Sequence, residues 1–83
     1  MSPPEGRTLD TRGSLCPQPI IDLAAVMGDL AAGDELVVLS DDAAFPADVR
    51  AWCSGTGNEL LALERDDDRL FTATLRKRAR KPS

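Results

Sequence analysis

Residues 15–40, LCPQPIIDLAAVMGDLAAGDELVVLS, hold a helix and a strand whose reading decides the fold class. Ile20, Leu23, Ala24, Met27 and Leu30 recur at helical spacing and line one face, which predicts a helix from about Pro17 to Leu30. Gly33 sits where a helix stop is expected. ELVVLS at 35–40 is short, apolar and carries adjacent valines. It reads as a central strand buried on both faces.

Upstream of this stretch, Arg7–Asp10 (RTLD) is a short strand, ended by a turn at Gly13. Downstream, Asp41 and Asp42 are N-cap candidates for a second helix through Cys53, with Phe45, Val49, Trp52 and Cys53 on its apolar side. Pro46 fits only a first turn, which places the start near Phe45. Ser54–Asn58 (SGTGN) is a glycine-rich turn. Leu and Glu also favour helix, but the length and flanking turns of ELLALE at 59–64 favour a strand. LFTATLR at 70–76 alternates Phe71, Ala73 and Leu75 against Thr72 and Thr74, so the two runs form a hairpin around Asp66-Asp67-Asp68. The order is βαβαββ. The expected fold is α+β: a two-layer α/β sandwich with two helices packed on one face of a four-stranded mixed sheet.

Eighty-three residues leave room for one domain. The expected division is a disordered leader at 1–6, a folded domain at 7–77 and a basic tail at 78–83. Hydrophobic residues at 42% and charged residues at 29% are ordinary for a soluble domain. The sequence contains no histidine, which excludes Ser-His-Asp and Cys-His catalysis and every metal site that needs an imidazole. Cys16 and Cys53 form no CxxC pattern and are too few for an all-cysteine zinc site. The first fifteen residues contain no apolar stretch long enough for a signal peptide, and the apolar runs fall short of the roughly 18–20 residues of a membrane span. A cytoplasmic location with reduced thiols is expected.

The charge is uneven. The chain carries 10 basic and 14 acidic residues, a net −4. All fourteen acids precede Arg69, while Arg76, Lys77, Arg78, Arg80 and Lys81 cluster at the C-terminus. An acidic body disfavours direct nucleic-acid binding. The basic tail reads first as a solvated terminus.

The chemistry concentrates at Cys16. Pro17 and Pro19 stiffen the first turn of the helix and prevent it from extending backward. Cys16 is thereby placed at the N-cap or one residue outside it. A helix N-terminus carries partial positive charge and unpaired N–H groups. With the Gln18 N–H as its partner, the Cys16 thiol is expected to be partly or mostly ionised at neutral pH, and nucleophilic without a histidine. Arg12 is a candidate for electrostatic support.

The other polar clusters read as structure. Cys53 lies on the apolar stripe of the second helix and reads as core. A Cys16–Cys53 disulfide is not expected, because the two cysteines sit at opposite ends of helices that run the same way. Asp66-Asp67-Asp68 reads as a solvated loop, and Trp52 as core. Gly55-Thr56-Gly57 lacks the strand-before, helix-after context of a phosphate loop. No metal and no cofactor is expected.

Leu9-Asp10-x-x-Gly13-x-x-Cys16-Pro17-x-Pro19 resembles the signature of the TusA (SirA-like) sulfur-carrier family. Gly33-Asp34, Asp41-Asp42, Asp48-Val49-x-x-Trp52-Cys53 and Gly57-Asn58-Glu59-Leu60 continue the likeness, which runs from about Leu9 to Lys77. Ala43 departs from it, standing where the family usually has proline, and Pro46 follows three residues later. The resemblance implies the same βαβαββ sandwich. It implies that Cys16 carries sulfane sulfur as a persulfide, with Leu9, Asp10, Gly13, Pro17, Gln18 and Pro19 as scaffold. Its implied partners are a cysteine desulfurase or rhodanese-like donor and a downstream sulfur-accepting protein, in tRNA thiolation, cofactor maturation or sulfur oxidation. Two alternatives stay open: a thiol redox sensor at Cys16, and a non-catalytic adaptor that binds RNA or an acidic protein through the basic tail.

Overall fold

The computed structural model describes residues 7–66 and 69–78. Its elements run β1 (Arg7–Asp10), α1 (Gln18–Gly28), β2 (Glu35–Ser40), α2 (Phe45–Thr56), β3 (Glu59–Arg65) and β4 (Phe71–Arg76). This is the expected βαβαββ order. The four strands form one mixed sheet in the order β1-β2-β4-β3. β1 pairs parallel to β2, and β4 pairs antiparallel to both β2 and β3. The leader at 1–6, Asp67, Asp68 and the tail beyond Arg78 lie outside the described residues.

Both helices pack on one face of the sheet. Leu23, Met27 and Leu30 from the first helical segment and Phe45, Val49 and Cys53 from α2 are buried against Leu36, Val38, Ala73 and Leu75. Leu9, Ile20, Trp52, Leu60, Leu63 and Phe71 close the margins of this core half-buried. The alternation in β4 is the predicted one, with Ala73 and Leu75 inward.

Three sequence expectations are corrected. β2 is central but not buried on both faces: Leu36, Val38 and Ser40 are buried, while Val37 and Leu39 are only half-buried on the side away from the helices. A single helical layer can cover only one sheet face, so the valine pair reflects β propensity more than double burial. α1 ends at Gly28 rather than Leu30. The Asp29 and Leu30 N–H groups donate to Val26 and Met27 carbonyls, a tightened last turn that still delivers Leu30 to the core. α2 continues past Cys53 to Thr56, because Gly57 is the first residue to adopt a left-handed conformation, with φ of 84°.

Gly57 also meets the end of the described chain. Its N–H donates to the Cys53 carbonyl at 2.9 Å, and a Cβ added there would lie 3.4 Å from Arg78 Cδ. Gly57→Ala should therefore destabilise the fold by about 1 kcal/mol, through the positive φ more than through crowding. Urea denaturation should show a lower midpoint with an unchanged slope.

The C-terminal segment is tied to the body as far as Arg78. The Lys77 ammonium donates to the Met27 carbonyl at 2.6 Å, and the Arg78 N–H donates to Asn58 Oδ1 at 2.9 Å. Lys77 thereby neutralises part of the negative C-terminal end of α1, which has no basic residue of its own in the last turn.

Candidate functional site

The β1–α1 and β2–α2 loops meet beyond the C-terminal ends of the parallel β1–β2 pair. Thr11 extends the ladder past β1: its N–H and its hydroxyl both donate to the Leu39 carbonyl, at 2.8 and 2.6 Å. The chain then turns, with Gly13 at φ of 89° and the Ser14 N–H bonded to the Thr11 carbonyl. Two carboxylates from the facing loop receive it. Asp41 Oδ1 accepts the Gly13 N–H at 3.1 Å, and Asp42 Oδ2 accepts the Cys16 N–H at 2.7 Å.

Cys16 itself is exposed, and its peptide bond to Pro17 is cis. Pro17 is the N-cap of α1, so Cys16 stands one residue outside the helix. Pro19 is buried beneath the first turn. Leu15, at 72% exposure, and Ile21, at 54%, leave apolar surface in sequence on either side of the thiol.

The electrostatics at Cys16 differ from the sequence expectation. Interaction with the Asp48 carboxylate pushes the Cys16 thiol pKa up. Partial desolvation and the negative charges of Asp48 and Asp42 act in the same direction. The helix N–H expected to hold the sulfur is already used: the Gln18 N–H donates to the Leu15 carbonyl at 2.8 Å. The surroundings of Cys16 thus favour its neutral thiol form, opposite to the direction expected from the helix N-terminus alone.

Arg12 does not support the thiol. Its Nε and Nη2 donate to the two oxygens of Asp10 at 2.9 and 2.7 Å, and its N–H donates to Asp10 Oδ1 at 3.0 Å. Those hydrogen bonds hold the Asp10 carboxyl at about 2. A carboxylate with a depressed pKa contributes stability that is complete above about 3.9 and is lost as pH falls toward 2. Arg12→Gln removes the guanidinium but keeps the backbone N–H bond, so it should raise the Asp10 pKa part of the way back toward the ordinary carboxylate range, read from its side-chain carbonyl shift during an acid titration.

The remaining predicted scaffold residues divide by role. Leu9 packs against the core, Gly13 provides the turn, and Gln18 Nε2 donates to Asp22 Oδ1 at 2.7 Å. Asp42 is not the N-cap of α2, which is Ala44. Asp42 instead accepts the Ala44 N–H through Oδ1 at 3.3 Å, while its own N–H donates to buried Ser40 Oγ at 3.1 Å. Pro46 occupies the first turn, where its missing N–H is harmless. Asp42 and Asp48 are the site residues that sequence reasoning missed as neighbours of the thiol. The signal available was the double aspartate, but it read as a helix cap.

Cys53 is buried on α2 and free, and burial pushes its thiol pKa up. Trp52 is half-buried against the core. An open depression of about 340 Å³ beside the site is lined by Asp41, Ala43, Arg65, Arg69 and Phe71, and does not include Cys16. Among the described residues, no group of three His, Cys, Asp or Glu side chains is placed to hold a metal, and no helix is long and apolar enough to cross a membrane.

A family model described as "Sulfurtransferase TusA" matches residues 7–77, the span that carries both the sheet and the Cys16 loop. The chain belongs to the TusA sulfur-carrier family. Within that family it is 42% identical over 62 residues to a protein of Halobacterium salinarum named "Putative sulfur carrier protein", covering 74% of this chain and 76% of the relative. A protein of the same description from Neisseria meningitidis serogroup A is 38% identical over 60 residues, covering 72% of this chain and 81% of the relative. One from Aquifex aeolicus is 38% identical over 63 residues. The match spans 76% of this chain but only 32% of the Aquifex relative. The crystal structure of a SirA-like protein from Desulfitobacterium hafniense superposes with a TM-score of 0.77, covering 86% of this chain and 96% of that one at 24% identity. This TusA-family chain therefore has the α+β fold expected from its periodicity, and that solved structure shares it.

Proposed function

We propose that Cys16 is the sulfur-bearing residue of this TusA-family protein, accepting sulfane sulfur as a persulfide and passing it to an acceptor thiol. The observation that carries the reading is the placement of the chain's exposed cysteine. Cys16 stands outside the helix on a loop fixed by Asp41 and Asp42, open to a second protein, while Cys53 is buried. A carrier thiol must reach into a partner's active site twice, once to load and once to deliver. An exposed thiol on a well-fastened loop satisfies that requirement.

The chemistry is thiol–persulfide exchange. Cys16 Sγ attacks the terminal sulfur of the donor's persulfide, a new S–S bond forms on Cys16, and the donor's cysteine leaves as a thiol. No oxidant is consumed. Delivery repeats the exchange with the acceptor thiol as nucleophile. The donors that fit are a cysteine desulfurase, which makes a persulfide from cysteine, or a rhodanese-like protein, which makes one from thiosulfate. Thiolation of tRNA, cofactor maturation and sulfur oxidation each supply an acceptor of the required kind. The cytoplasm suits the exchange, because its reducing poise keeps such a thiol free between transfers.

The test is transfer of radiolabelled sulfur from cysteine, through a cysteine desulfurase, to this protein and onward to an acceptor. Label should appear on the wild type, be released by reductant, and be absent from Cys16→Ser. A truncation after Arg78, which preserves the hydrogen bonds of Lys77 and Arg78, tests the adaptor alternative. Loss of all partner binding on truncation, with Cys16→Ser fully functional, would replace the carrier reading with the adaptor reading.

A further inference from the structure

We propose that the depression lined by Arg65, Arg69 and Phe71 receives an acidic side chain of the sulfur-donor protein while that donor's persulfide meets Cys16. The inference rests on Cys16 being the carrier thiol and names a contact that brings its partner in.

The depression shares a wall with the loop that holds the thiol. Asp41 and Ala43 line it, and between them stands Asp42, whose Oδ2 accepts the Cys16 N–H at 2.7 Å. Asp41 itself accepts the Gly13 N–H of the Cys16 loop at 3.1 Å. The opposite wall comes from the β3–β4 hairpin. Arg65 and Phe71 are its last paired residues, and Arg69 lies in the turn between them.

The charge here runs against that of the molecule. Residues 1–75 hold five basic and fourteen acidic residues, and two of those five basic residues gather at this one depression. Arg12 is bound by Asp10 and Arg76 by Glu59, whereas Arg65 and Arg69 enter no ion pair among the described residues. Arg69 also adopts φ of 63°, a left-handed conformation that costs energy for any residue with a Cβ. Its N–H donates to the Asp66 carbonyl at 3.3 Å, and the Leu70 N–H donates to Asp66 Oδ1 at 3.0 Å. Those bonds need no side chain at position 69, and glycine would take the same turn without strain. The fold therefore gains nothing from an arginine there, and its guanidinium is left to act at the surface of the depression.

The chemistry selects one kind of occupant. Two guanidiniums against the single Asp41 carboxylate suit one or two carboxylate oxygens, with Phe71 and Ala43 against the methylenes that carry them. A polyanion such as RNA fits poorly, because the acidic body around the depression repels its further phosphates. Loading is the first encounter of the relay. A donor that presents a carboxylate here is steered to the thiol end of a protein whose remaining surface repels acids.

The test is calorimetric titration of wild type, Arg65→Gln, Arg69→Gly and Arg7→Gln into a purified cysteine desulfurase and, separately, a rhodanese. Cysteine and thiosulfate are left out, so no sulfur moves. For one of the two donors, Arg65→Gln and Arg69→Gly should each raise Kd roughly three- to tenfold at low salt, with the difference narrowing as salt is added. Arg69→Gly should melt no lower than wild type, so its weaker binding is not a folding defect. Arg7 opens β1 at the end away from Cys16, and Arg7→Gln should leave Kd within about twofold of wild type, since the lost charge is distant and screened. Unchanged Kd in both pocket variants, an equal loss in Arg7→Gln, or no wild-type binding to either donor overturns the proposal. A wild-type dimer by light scattering that Arg69→Gly dissociates also overturns it, and assigns the depression to a second copy of the chain. Loading is read separately by intact mass. A wild type that binds through both arginines but takes up no sulfur contradicts the persulfide reading and leaves the docking contact standing.

Discussion

Cys16→Ser should yield a fully folded protein that takes up no sulfur at all. The side chain is exposed, so replacing sulfur by oxygen removes no core contact, and stability should change by less than about 0.5 kcal/mol. The backbone latch is unaffected, because Asp42 binds the Cys16 N–H and not its side chain. A serine hydroxyl cannot form a persulfide, and Cys53 is buried on α2 with its thiol pushed toward the protonated form. Loss of function without loss of fold is the expected combination, read by labelled-sulfur uptake beside a thermal melt. Retained uptake in Cys16→Ser would move the chemistry elsewhere.

Phe45→Ala should produce the largest loss of stability from a single core substitution. Phe45 opens α2, is 1% exposed, and is the largest fully buried side chain among the described residues. Phe-to-Ala changes in cores cost about 3–5 kcal/mol, because transfer free energy is lost and a cavity remains. A domain of this size has a total stability on the order of 4–12 kcal/mol. The variant should thus melt at least about 12 °C lower, or fail to fold at 25 °C. The effect should extend to the site, since Phe45 begins the turn of α2 that carries Asp48. A drop below about 1 kcal/mol in a urea titration would contradict the packing described.

Most of the fold was legible in the sequence because its periodicities are clean. The Leu23–Met27–Leu30 spacing marked the buried face of α1, and the Phe71–Ala73–Leu75 alternation marked the inward face of β4. The two corrected helix ends depend on single-turn geometry. Asp29 and Leu30 leave the helix through a tightened turn, and α2 runs on until Gly57 turns left-handed. Neither decision leaves a period in the pattern. Val37 and Leu39 mislead because the apolar run Leu36–Leu39, with its Val37–Val38 pair, looks the same whether one face or both are buried.

The site was legible as a location but not as an electrostatic environment. Two prolines after Cys16 placed it at the start of α1, and the structure puts it one residue before the N-cap. Its protonation depends on side chains 26 and more positions away, since Asp42 is that far along the chain and Asp48 further still. A local argument from the helix dipole could not include them. Arg12 failed as a support for a similar reason. Asp10, two residues before it, offers both oxygens at short range and captures the guanidinium first.

The most direct test of the central claim is intact-protein mass spectrometry after incubation with a cysteine desulfurase and cysteine, without reductant, on wild type, Cys53→Ser and Cys16→Ser. A rhodanese with thiosulfate forms a parallel arm. The account predicts a reductant-labile gain of about 32 Da, one sulfur atom, on wild type and Cys53→Ser and none on Cys16→Ser. A gain on Cys16→Ser, or no gain on the wild type with either donor, would contradict it.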